Sequence, residues 1–384
     1  MGEYVKVPAV LMRGGTSKGA YLMMSDLPED PVLRDQVILN IYGSPDARQI
    51  SGIGGADPLT SKVALIAPSS REGVDVDYTF GYVGIKEAVV DYEGNCGNMS
   101  SAVGPFAIAK GLVLAEEPIT RVRIYNTNTS KVIEASVPVK DGEVVSEGDY
   151  AIAGVPGTGA KISLNFLNSA GSKTGKLLPT GNVVDEITLN SGKKVRVSLV
   201  DAANPAVFIK AEDIGLTGKE LPVDTETNPA ILEIMEDIRT TAAVMMGLAK
   251  SKETASSAVP KVAFVAAPAD YLTTNGEMVK AQETDLLART KALAVMHKTY
   301  AVTGGICLAT AACIDGTVVN EVVSPLARES GEIRIGHPSG ILEVFVSLKK
   351  LLNGEWDLLQ AGVCRTAKPI MEGMVYVPSK LFKK

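Results

Sequence analysis

The sequence has few of the residues that hold metals or form disulfides. It contains four cysteines and two histidines among 384 residues. They are Cys96, Cys307, Cys313, Cys364, His297 and His337. The cysteines form no CxxC pair, and the histidines lack metal-ligand spacing, which argues against structural zinc. We expect no catalytic metal, and we expect a reduced, cytoplasmic protein.

Charge and hydropathy exclude two further classes of protein. The net charge is −6, whereas nucleic-acid-binding proteins usually carry a basic patch or stripe. No apolar run approaches the roughly 18 residues that span a membrane. The first residues, MGEYVKVPAVLMRGG, lack the basic start and apolar core of a signal peptide. We therefore expect neither a nucleic-acid partner nor a membrane partner.

The texture that remains is rich in strands and turns. There are 37 glycines and only 7 phenylalanines. Alternating β-branched residues predict strands at Val5–Met12, Lys62–Pro68, Val74–Ile85, Arg121–Thr129 and Lys131–Val139, and a hairpin followed by a strand within Glu186–Ile209. Apolar residues at helical spacing predict helices at Asp30–Tyr42, Met99–Gly111, Pro229–Lys250 and Gln282–Lys298, with shorter helices at Gly304–Ile314 and Ser339–Leu352. This mixture indicates an α+β fold.

Composition and weak internal similarity predict two related domains. The stretch Asn165–Glu186 is rich in Gly, Ser, Asn and Thr, which places a boundary near residue 184 and gives domains 1–184 and 185–384, with the final strand free to pack across the boundary. Three pairs of segments recur in the two halves: GNCGNMSSAVG with IGHPSGILEV, RVRIYNTNT with AGVCRTAK, and LMRGGTSKGAYLM with LVDAANPAVFI. Together they predict a duplicated domain.

Cys96 stands in the most distinctive of these segments. Two Gly/Asn pairs flank it, and a predicted helix begins directly after it. The first N–H groups of a helix have no intrahelical partner and favour anions, including a thiolate. The pattern predicts a cysteine that serves as a thiolate or proton donor beside an anion site. A small buried cysteine in a glycine turn is the alternative.

Two further segments of the first half carry candidate groups. In SGIGGADPLTSKVALI, Lys62 follows a glycine-rich loop and opens an apolar strand, where partial loss of hydration suits a lysine to act as a base. The alternative is an ordinary solvated lysine. In LMRGGTSKGAYLM, Arg13, Thr16, Ser17 and Lys18 lie between glycines and resemble a cradle for carboxylate or phosphate.

The second half supplies mostly hydrogen-bond donors. IGHPSG reads as a second loop that enters a helix, and Asn204 precedes a proline. An excess of donors over carboxylate bases favours a small di- or tricarboxylate ligand. Neither LMRGGTSKGAYLM nor GSKTGK at 171–176 matches a P-loop, and no GxGxxG follows a strand. We therefore expect no organic cofactor.

These segments together resemble the PrpF family. The resemblance is carried by RGGTSKG, GGADPLTSK, GNCGNMSSAVGPFA, NPAVF, IGHPSG and RTAKPIMEG, and it covers nearly the whole chain. The family comprises cofactor-independent isomerases of unsaturated di- and tricarboxylates, and its reactions include isomerisation of 3-methylitaconate and of 2-methylaconitate and tautomerisation of 4-oxalomesaconate. The overall appearance of the chain favours the first reaction.

The resemblance implies the diaminopimelate epimerase-like fold, which has two similar domains. In each, a curled, mostly antiparallel sheet surrounds a central helix, and the active site lies in the cleft between domains. Cys96-Gly97-Asn98 resembles the first CGN of the amino-acid epimerases, whereas His337-Pro338-Ser339 stands where their second cysteine is expected. This difference argues against a racemase with two thiols.

The resemblance also implies roles for particular residues. Lys62 and Cys96 are expected to transfer protons, in an order that the sequence leaves open. The residues expected to bind substrate carboxylates are Thr16, Ser17, Lys18, Asn95, Gly97, Asn98, Met99, Ser100, Asn204, His337, Ser339 and Gly340. A third carboxylate would require a further cation, for which Arg334, Lys298 and Arg365 are candidates. The rival from another class is a non-catalytic protein that binds a carboxylate, and in either case we expect a homo-oligomer.

Overall fold

The chain divides into two compact units. The computed structural model describes residues 2–92, 96–256, 259–292 and 295–382. The first unit comprises Met1–Asn165 and Cys364–Lys384, and the second comprises Phe166–Val363. The last strand of the chain thus belongs to the first unit, and residue 184, the predicted boundary, lies inside the second.

The elements follow one another as short strands with few helices. The strands are β1 (Tyr4–Gly14), β2 (Ser17–Met23), β3 (Lys62–Pro68), β4 (Val76–Val83), β5 (Val90–Asp91), β6 (Ile119–Asn126), β7 (Lys131–Lys140), β8 (Glu143–Val144), β9 (Ile162–Phe166), β10 (Asp185–Thr188), β11 (Lys194–Ala202), β12 (Asn204–Lys210), β13 (Lys261–Ala266), β14 (Tyr271–Leu272), β15 (Met278–Val279), β16 (Leu286–Ala292), β17 (Val295–Met296), β18 (Glu332–His337), β19 (Gly340–Lys350), β20 (Trp356–Arg365) and β21 (Ala367–Pro378). The α-helices are α1 (Pro31–Tyr42), α2 (Gly97–Ser100), α3 (Val103–Ala109), α4 (Pro222–Glu226), α5 (Pro229–Met245), α6 (Val302–Ala312) and α7 (Pro325–Ser330). This α+β composition agrees with the predicted class.

The two units repeat one order of strand pairing. In the first, β1–β2 is antiparallel, β2–β3 parallel, β3–β4 antiparallel, β4–β6 parallel and β6–β7 antiparallel. In the second, β11–β12, β12–β13, β13–β16, β16–β18 and β18–β19 follow with the same orientations. The short strands β5 and β17 pair with β4 and β16 in the same way. The fold is therefore a duplication, as predicted.

Each unit packs one helix outside its sheet and one within the curl. The outer helix α1 buries Val37, Ile38 and Ile41 against β2 and β3, and α5 buries Met235 and Ile238 in an equivalent core. The inner helix α6 is almost wholly buried and contacts β11 and β12 at one end of its sheet and β18 and β19 towards the other. In the first unit α2 contacts β1 and β2, whereas α3 contacts β6 and β7. A sheet that touches its helix from both ends must curl around it.

Two predicted helices are wrong. The predicted helix at 282–298 contains the strands β16 and β17 in its described part, and the predicted helix at 339–352 contains the whole of β19. The strand β16 is buried on both faces through residue 291 although it carries Arg289, Thr290 and Lys291, so it lacks the polar–apolar alternation that identifies a half-buried strand. In β19 the buried Leu342, Val344 and Val346 alternate with more exposed residues, which is the period of a strand.

The structure also corrects two of the three predicted correspondences between halves. The pair LMRGGTSKGAYLM and LVDAANPAVFI is confirmed, because the two segments form the equivalent hairpins β1–β2 and β11–β12. By strand order, the helix entered at Cys96 corresponds to α6, not to IGHPSG, which is the β18–β19 hairpin turn. Likewise RVRIYNTNT forms β6, whose counterpart is β18 and not β20.

Candidate active site

The first unit brings the starts of two strands together. Ser17 opens β2 and Lys62 opens β3. These strands run parallel, with Gly19 opposite Lys62, so their first residues lie at the same edge of the sheet. The segment that enters α2 carries Cys96 to this edge.

Three polar side chains meet there. The Nζ of Lys62 lies 3.0 Å from the Oγ of Ser17 and 3.5 Å from the Sγ of Cys96. The Oγ of Ser17 lies 3.8 Å from the same sulfur. Ser17 is buried, whereas Lys62 and Cys96 are partly exposed. The sequence-based pairing of Lys62 with Cys96 therefore has the contact geometry that proton exchange requires, and Ser17 lies against both groups.

The backbone of Lys62 is held from two sides. A Cβ atom on Gly19 would lie 1.9 Å from the carbonyl oxygen of Lys62, so only glycine allows the two strands to approach this closely. From the outer helix, the hydroxyl of Tyr42 donates to that same carbonyl oxygen and accepts from the amide of Ala20 at 2.9 Å. Complete burial raises the pKa of Tyr42 above its ordinary value, so its hydroxyl stays protonated as a donor.

Cys96 immediately precedes a single helical turn. The helix α2 is four residues long, and the Cys96 side chain caps none of its amides, so its first N–H groups keep no intrahelical partner. Ser100 is buried and its hydroxyl donates to the carbonyl of Cys96 at 3.1 Å. Met99 is also buried, and its carbonyl accepts from the hydroxyl of Tyr21 at 2.6 Å. Met99 and Ser100 thus stabilise this helical turn from its buried side. The predicted site residue Asn95 lies outside the described residues.

Hydrogen bonds on both sides of its amide group orient Asn98, the second residue of α2. Its Nδ2 donates to the Oγ1 of Thr16 at 3.0 Å, and its Oδ1 accepts from the Nε of Arg365 at 3.2 Å. A Cβ on Gly15, whose φ is +50°, would lie 2.2 Å from that Oδ1. The glycine before Thr16 therefore lets the cradle loop reach the Asn98 side chain.

Arg13 and Lys18, the two cations of the loop before and at the start of β2, differ in whether their side chains are already hydrogen-bonded. The Nη1 of Arg13 donates to the carbonyls of Gly15 and Thr366 at 2.9 and 3.1 Å, so Arg13 shapes the loop and does not reach for a ligand. Burial lowers the pKa of Arg13 from its ordinary value. Lys18 is partly exposed, and its amide donates to the carbonyl of Leu59 at 2.9 Å. Within the described residues its ammonium group makes no hydrogen bond or ion pair, so it is available to an anion.

The predicted residues of the second unit lie at strand ends of its sheet. Asn204 opens β12, His337 ends β18 and Gly340 opens β19. Asn204 lies two residues before Ala206, which pairs with Lys261 at the start of β13, whereas Gly336 pairs with Leu287, which pairs with Ala266 at the end of β13. The strand register therefore separates the turn of His337 from Asn204. The expectation that His337 begins a helix is wrong, because residues 337–340 form a tight turn between two strands.

This turn is fixed at both ends. The hydroxyl of Tyr271 donates to the carbonyl of Gly340 at 2.6 Å, and the Nη1 of Arg289 donates to the carbonyl of Gly336 at 3.0 Å. The guanidinium of Arg289 also stacks on the Tyr271 ring, 5.1 Å from its centroid. Burial lowers the pKa of Arg289 to about 10 and raises that of Tyr271 to about 12. A buried cation therefore lies directly behind the turn.

Within the turn, the Nδ1 of His337 accepts from the amide of Ser339 at 3.2 Å. The hydroxyl of Ser339 donates to the carbonyl of Lys298 at 2.5 Å. His337 is buried and Ser339 is partly exposed. Sequence reasoning missed Tyr271 and Arg289, because Arg289 fell in a segment predicted to be a helix and no motif marked either residue.

Two of the three cations considered for a third carboxylate are already engaged. The Nε and Nη2 of Arg334 both bind the carboxylate of Asp285, each at 2.9 Å. Arg365 is buried and holds Asn98. Lys298 is exposed, and in the described part of the chain its ammonium group has no hydrogen-bond partner.

Among the described residues, no group of three His, Cys, Asp or Glu side chains is placed to hold a metal ion. Within those same ranges, no helix is long and apolar enough to cross a membrane.

Comparison with known proteins gives one consistent answer. The family described as PrpF protein matches residues 4–378. The chain is 48% identical to the 3-methylitaconate isomerase of Eubacterium barkeri, with 98% of each protein covered. It is 41% identical to the 2-methyl-aconitate isomerase of Shewanella oneidensis, with 97% of each covered, and 40% identical to the 4-oxalomesaconate tautomerase of Pseudomonas putida, with 98% of this chain and 97% of the tautomerase covered.

Solved structures agree. A crystal structure of methylitaconate-delta-isomerase superposes with a TM-score of 0.91 at 46% identity and covers 100% of this chain and 98% of its own. A hydroxyproline epimerase from Agrobacterium vitis gives a TM-score of 0.50 at 12% identity, with 99% of this chain and 94% of the epimerase covered. The second likeness concerns the fold alone, which is that of the epimerases.

Proposed function

The chain belongs to the PrpF family, and from that premise we propose that it isomerises an unsaturated dicarboxylate by a 1,3-allylic proton shift, with 3-methylitaconate as substrate and 2,3-dimethylmaleate as product. The observation that carries the proposal is the contact of Lys62, Ser17 and Cys96 at one edge of the first sheet. The 48% identity to a 3-methylitaconate isomerase supports the choice of substrate.

The chemistry needs an acid and a base that act on different carbons of one substrate. In 3-methylitaconate the proton to be removed lies on a carbon that is both allylic and next to a carboxylate. Its removal gives a dienolate whose charge spreads onto carboxylate oxygens. A proton returned to the terminal methylene forms the new methyl group and moves the double bond.

Lys62 and Cys96 are proposed to carry these two protons. Their contact at 3.5 Å allows the thiolate with ammonium form and the thiol with amine form to interconvert directly. Either group is thus able to begin the reaction while the other holds the proton to be returned. Ser17, 3.0 Å from the ammonium, keeps Lys62 aligned with the sulfur.

Carboxylate binding is assigned to the remaining predicted residues. We propose that Thr16, Lys18 and the amides of Gly97 and Asn98 bind one carboxylate, because Thr16 and Lys18 flank Ser17 and the two amides directly follow Cys96. The second carboxylate is assigned to Asn204 and the turn of His337, Ser339 and Gly340. Hydrogen bonds and positive charge at these oxygens would stabilise the developing dienolate.

The engaged cations favour a dicarboxylate over a tricarboxylate. Arg334 is neutralised by Asp285, and Arg365 is committed to Asn98. Only Lys298 of the three candidates is exposed without a hydrogen-bond partner in the described residues. A tricarboxylate such as 2-methylaconitate would therefore find one candidate cation, which makes its isomerisation the second candidate function.

Proton NMR in D₂O tests the proposal, with 3-methylitaconate, 2-methylaconitate and 4-oxalomesaconate assayed in parallel. We expect deuterium to enter a new methyl group of the product formed from 3-methylitaconate. Turnover of one of the other compounds alone would keep the proton-transfer pair and change the substrate. Exchange with none of the three would favour the rival function, a protein that binds a carboxylate without chemistry.

Alkylation with iodoacetamide separates the same alternatives by a second route. At an active site the Cys96 thiol should react readily and be protected by substrate, as found by mass spectrometry of the peptide. The buried Cys307 and Cys364 provide internal controls. An inert Cys96 would support the binding protein.

Two properties of the whole protein complete the proposal. We propose a cytoplasmic homo-oligomer. All four cysteines are unpaired, which fits a reducing compartment. Sedimentation equilibrium of the purified protein tests the oligomer, and a mass near 40.3 kDa would identify a monomer.

A further inference from the structure

The duplication gives Lys62 a counterpart in the second unit. Lys62 is the first residue of β3 and lies opposite Gly19, the third residue of the parallel strand β2. Lys261 is the first residue of β13 and lies opposite Ala206, the third residue of the parallel strand β12. The two lysines therefore hold the same position in the same strand of the repeated sheet.

The two side chains also leave the same face of the sheet. Val63 and Leu65 point into the core formed with α1, and Val262 and Phe264 point into the core formed with α5. Because successive residues of a strand alternate between faces, Lys62 and Lys261 lie on the opposite face. In each unit that is the face that the inner helix covers.

Lys261 carries the uncompensated charge at this place. Burial and the neighbouring Arg239 lower the pKa of Lys261 from its ordinary value. Arg239 is itself paired with Glu236, and burial lowers the pKa of His297, which favours its neutral form. A partly desolvated charge without a partner favours an anionic ligand.

Two nearby lysines of this sheet are neutralised, whereas Lys261 is not. Lys291 on the adjacent strand binds Glu236 at 2.6 Å, and Lys210 at the far end of β12 binds Glu321 at 2.5 Å. Across the ranges that the structure describes, Lys261 makes no side-chain hydrogen bond and no ion pair with a carboxylate. Its charge is thus left for a group from outside those ranges.

We propose that Lys261 is a substrate-binding residue that pairs with a carboxylate of the dicarboxylate substrate. The assignment rests on the proposed function. The segment that enters the inner helix of this unit, residues 297–301, contains no cysteine, so this lysine has no thiol partner of the kind that Lys62 has. Lys261 therefore binds charge, whereas its counterpart transfers protons.

Steady-state kinetics with 3-methylitaconate provide the test. We expect Lys261→Gln to raise KM about tenfold or more, which is the usual loss for one charge-assisted hydrogen bond, with kcat within about threefold. Lys261→Arg keeps the charge and should restore most of the loss. Lys210→Gln is the matched control, because Lys210 is an ion-paired lysine at the other end of the neighbouring strand, and it should leave KM unchanged.

The midpoint of thermal unfolding, Tm, distinguishes a binding role of Lys261 from a structural role. Removal of a charge next to Arg239 should leave Tm unchanged or raise it. A lysine needed for folding would give a lower Tm in Lys261→Gln. A lower Tm together with an unchanged KM would overturn the assignment.

Calorimetry with methylsuccinate, a saturated dicarboxylate, separates this inference from the proposed function. If the wild type binds methylsuccinate and Lys261→Gln weakens that binding about tenfold, the inference stands even where no isomerisation is found. If the wild type isomerises 3-methylitaconate and Lys261→Gln changes neither KM nor the Kd for methylsuccinate, the inference is wrong and the proposed function remains.

Discussion

The two units share one order of strand pairing and differ in the side chains at the equivalent strand starts, those of β3 and β13. The first unit presents a lysine, a thiol and a hydroxyl in contact. The second places Lys261 at the equivalent strand position, and residues 297–301, which enter its inner helix, contain no cysteine. The duplicated sheet thus repeats the position of the lysine, and among the described residues the contact with a thiol is found at Lys62.

The local reason for this difference lies in the segments before the inner helices. In the first unit a cysteine directly precedes α2. In the second, α6 follows Tyr300 and Ala301, which bring no thiol. The epimerase-like fold has two equivalent edges, and within the described residues a lysine and a thiol are in contact at the first of them.

The largest expected difference between the units concerns Lys62 and Cys96, the proposed proton-transfer pair of the first unit. Cys96→Ala and Lys62→Met should each lower kcat about 10²–10⁴-fold, the usual contribution of a positioned acid or base. Far-ultraviolet circular dichroism should remain that of the wild type, and Lys210→Gln should keep full activity. Near-normal turnover by both variants would contradict a role of Lys62 and Cys96 in proton transfer.

Exchange of the residues opposite the two lysines should give unequal results. Gly19→Ala places a Cβ 1.9 Å from the carbonyl oxygen of Lys62, so β2 and β3 must separate, and we expect at least a hundredfold loss of kcat/KM with a lower Tm. Ala206→Gly, at the equivalent position, should cost only about 0.5–1 kcal/mol of stability. Equal effects of the two variants would show that the close approach at Lys62 has no special importance.

The turn of the second unit should respond through binding. Tyr271→Phe removes the donor to the carbonyl of Gly340 and should raise KM severalfold, since an unsatisfied buried carbonyl costs about 1–3 kcal/mol. Arg289→Gln should act in the same direction and more strongly. Arg196→Gln is the control, because this arginine pairs with Glu321 and makes no hydrogen bond to the turn among the described residues. A kcat loss without a KM change in Tyr271→Phe would contradict this role.

The smallest expected effect is a titration shift. The folded protein lowers the pKa of His297 below 6.5, so the neutral imidazole is favoured in the folded state, and this contribution to stability is lost as pH falls below the unfolded value. In spectra of protein with ¹³C-labelled histidine, the His297 signal should titrate below pH 6.5. In Lys261→Gln it should move towards 6.5, because a neighbouring positive charge is gone. An unchanged midpoint would mean that the two groups do not interact.

Several local features were predictable from the sequence. The strands at Val5–Met12 and Lys62–Pro68 and the helices at Asp30–Tyr42 and Pro229–Lys250 were recognisable, because each shows a clean period and is bounded by turn residues. The pairing of Lys62 with Cys96 came from family resemblance. The contact between the two side chains also requires the start of α2 to lie at the edge where β2 and β3 begin, and no local pattern contains that arrangement.

Other features were not predictable. Residues 282–298 were misread because β16 is buried on both faces, which removes the alternation that identifies a strand. Arg289 and Tyr271 carry no motif, and their role exists only because their own strands and the β18–β19 turn are packed together.

By itself, the sequence predicted the α+β class and a duplication, because composition, periodicity and short motifs are local properties of the chain, and the family resemblance supplied the candidate groups Lys62 and Cys96. The tertiary structure decided which lysines are neutralised, which glycine admits a close approach and which repeat segments correspond. Those properties depend on strand pairing between residues far apart in the chain, as between Gly19 and Lys62 or Ala206 and Lys261, and such pairing is set by the packing of the whole sheet around its helix.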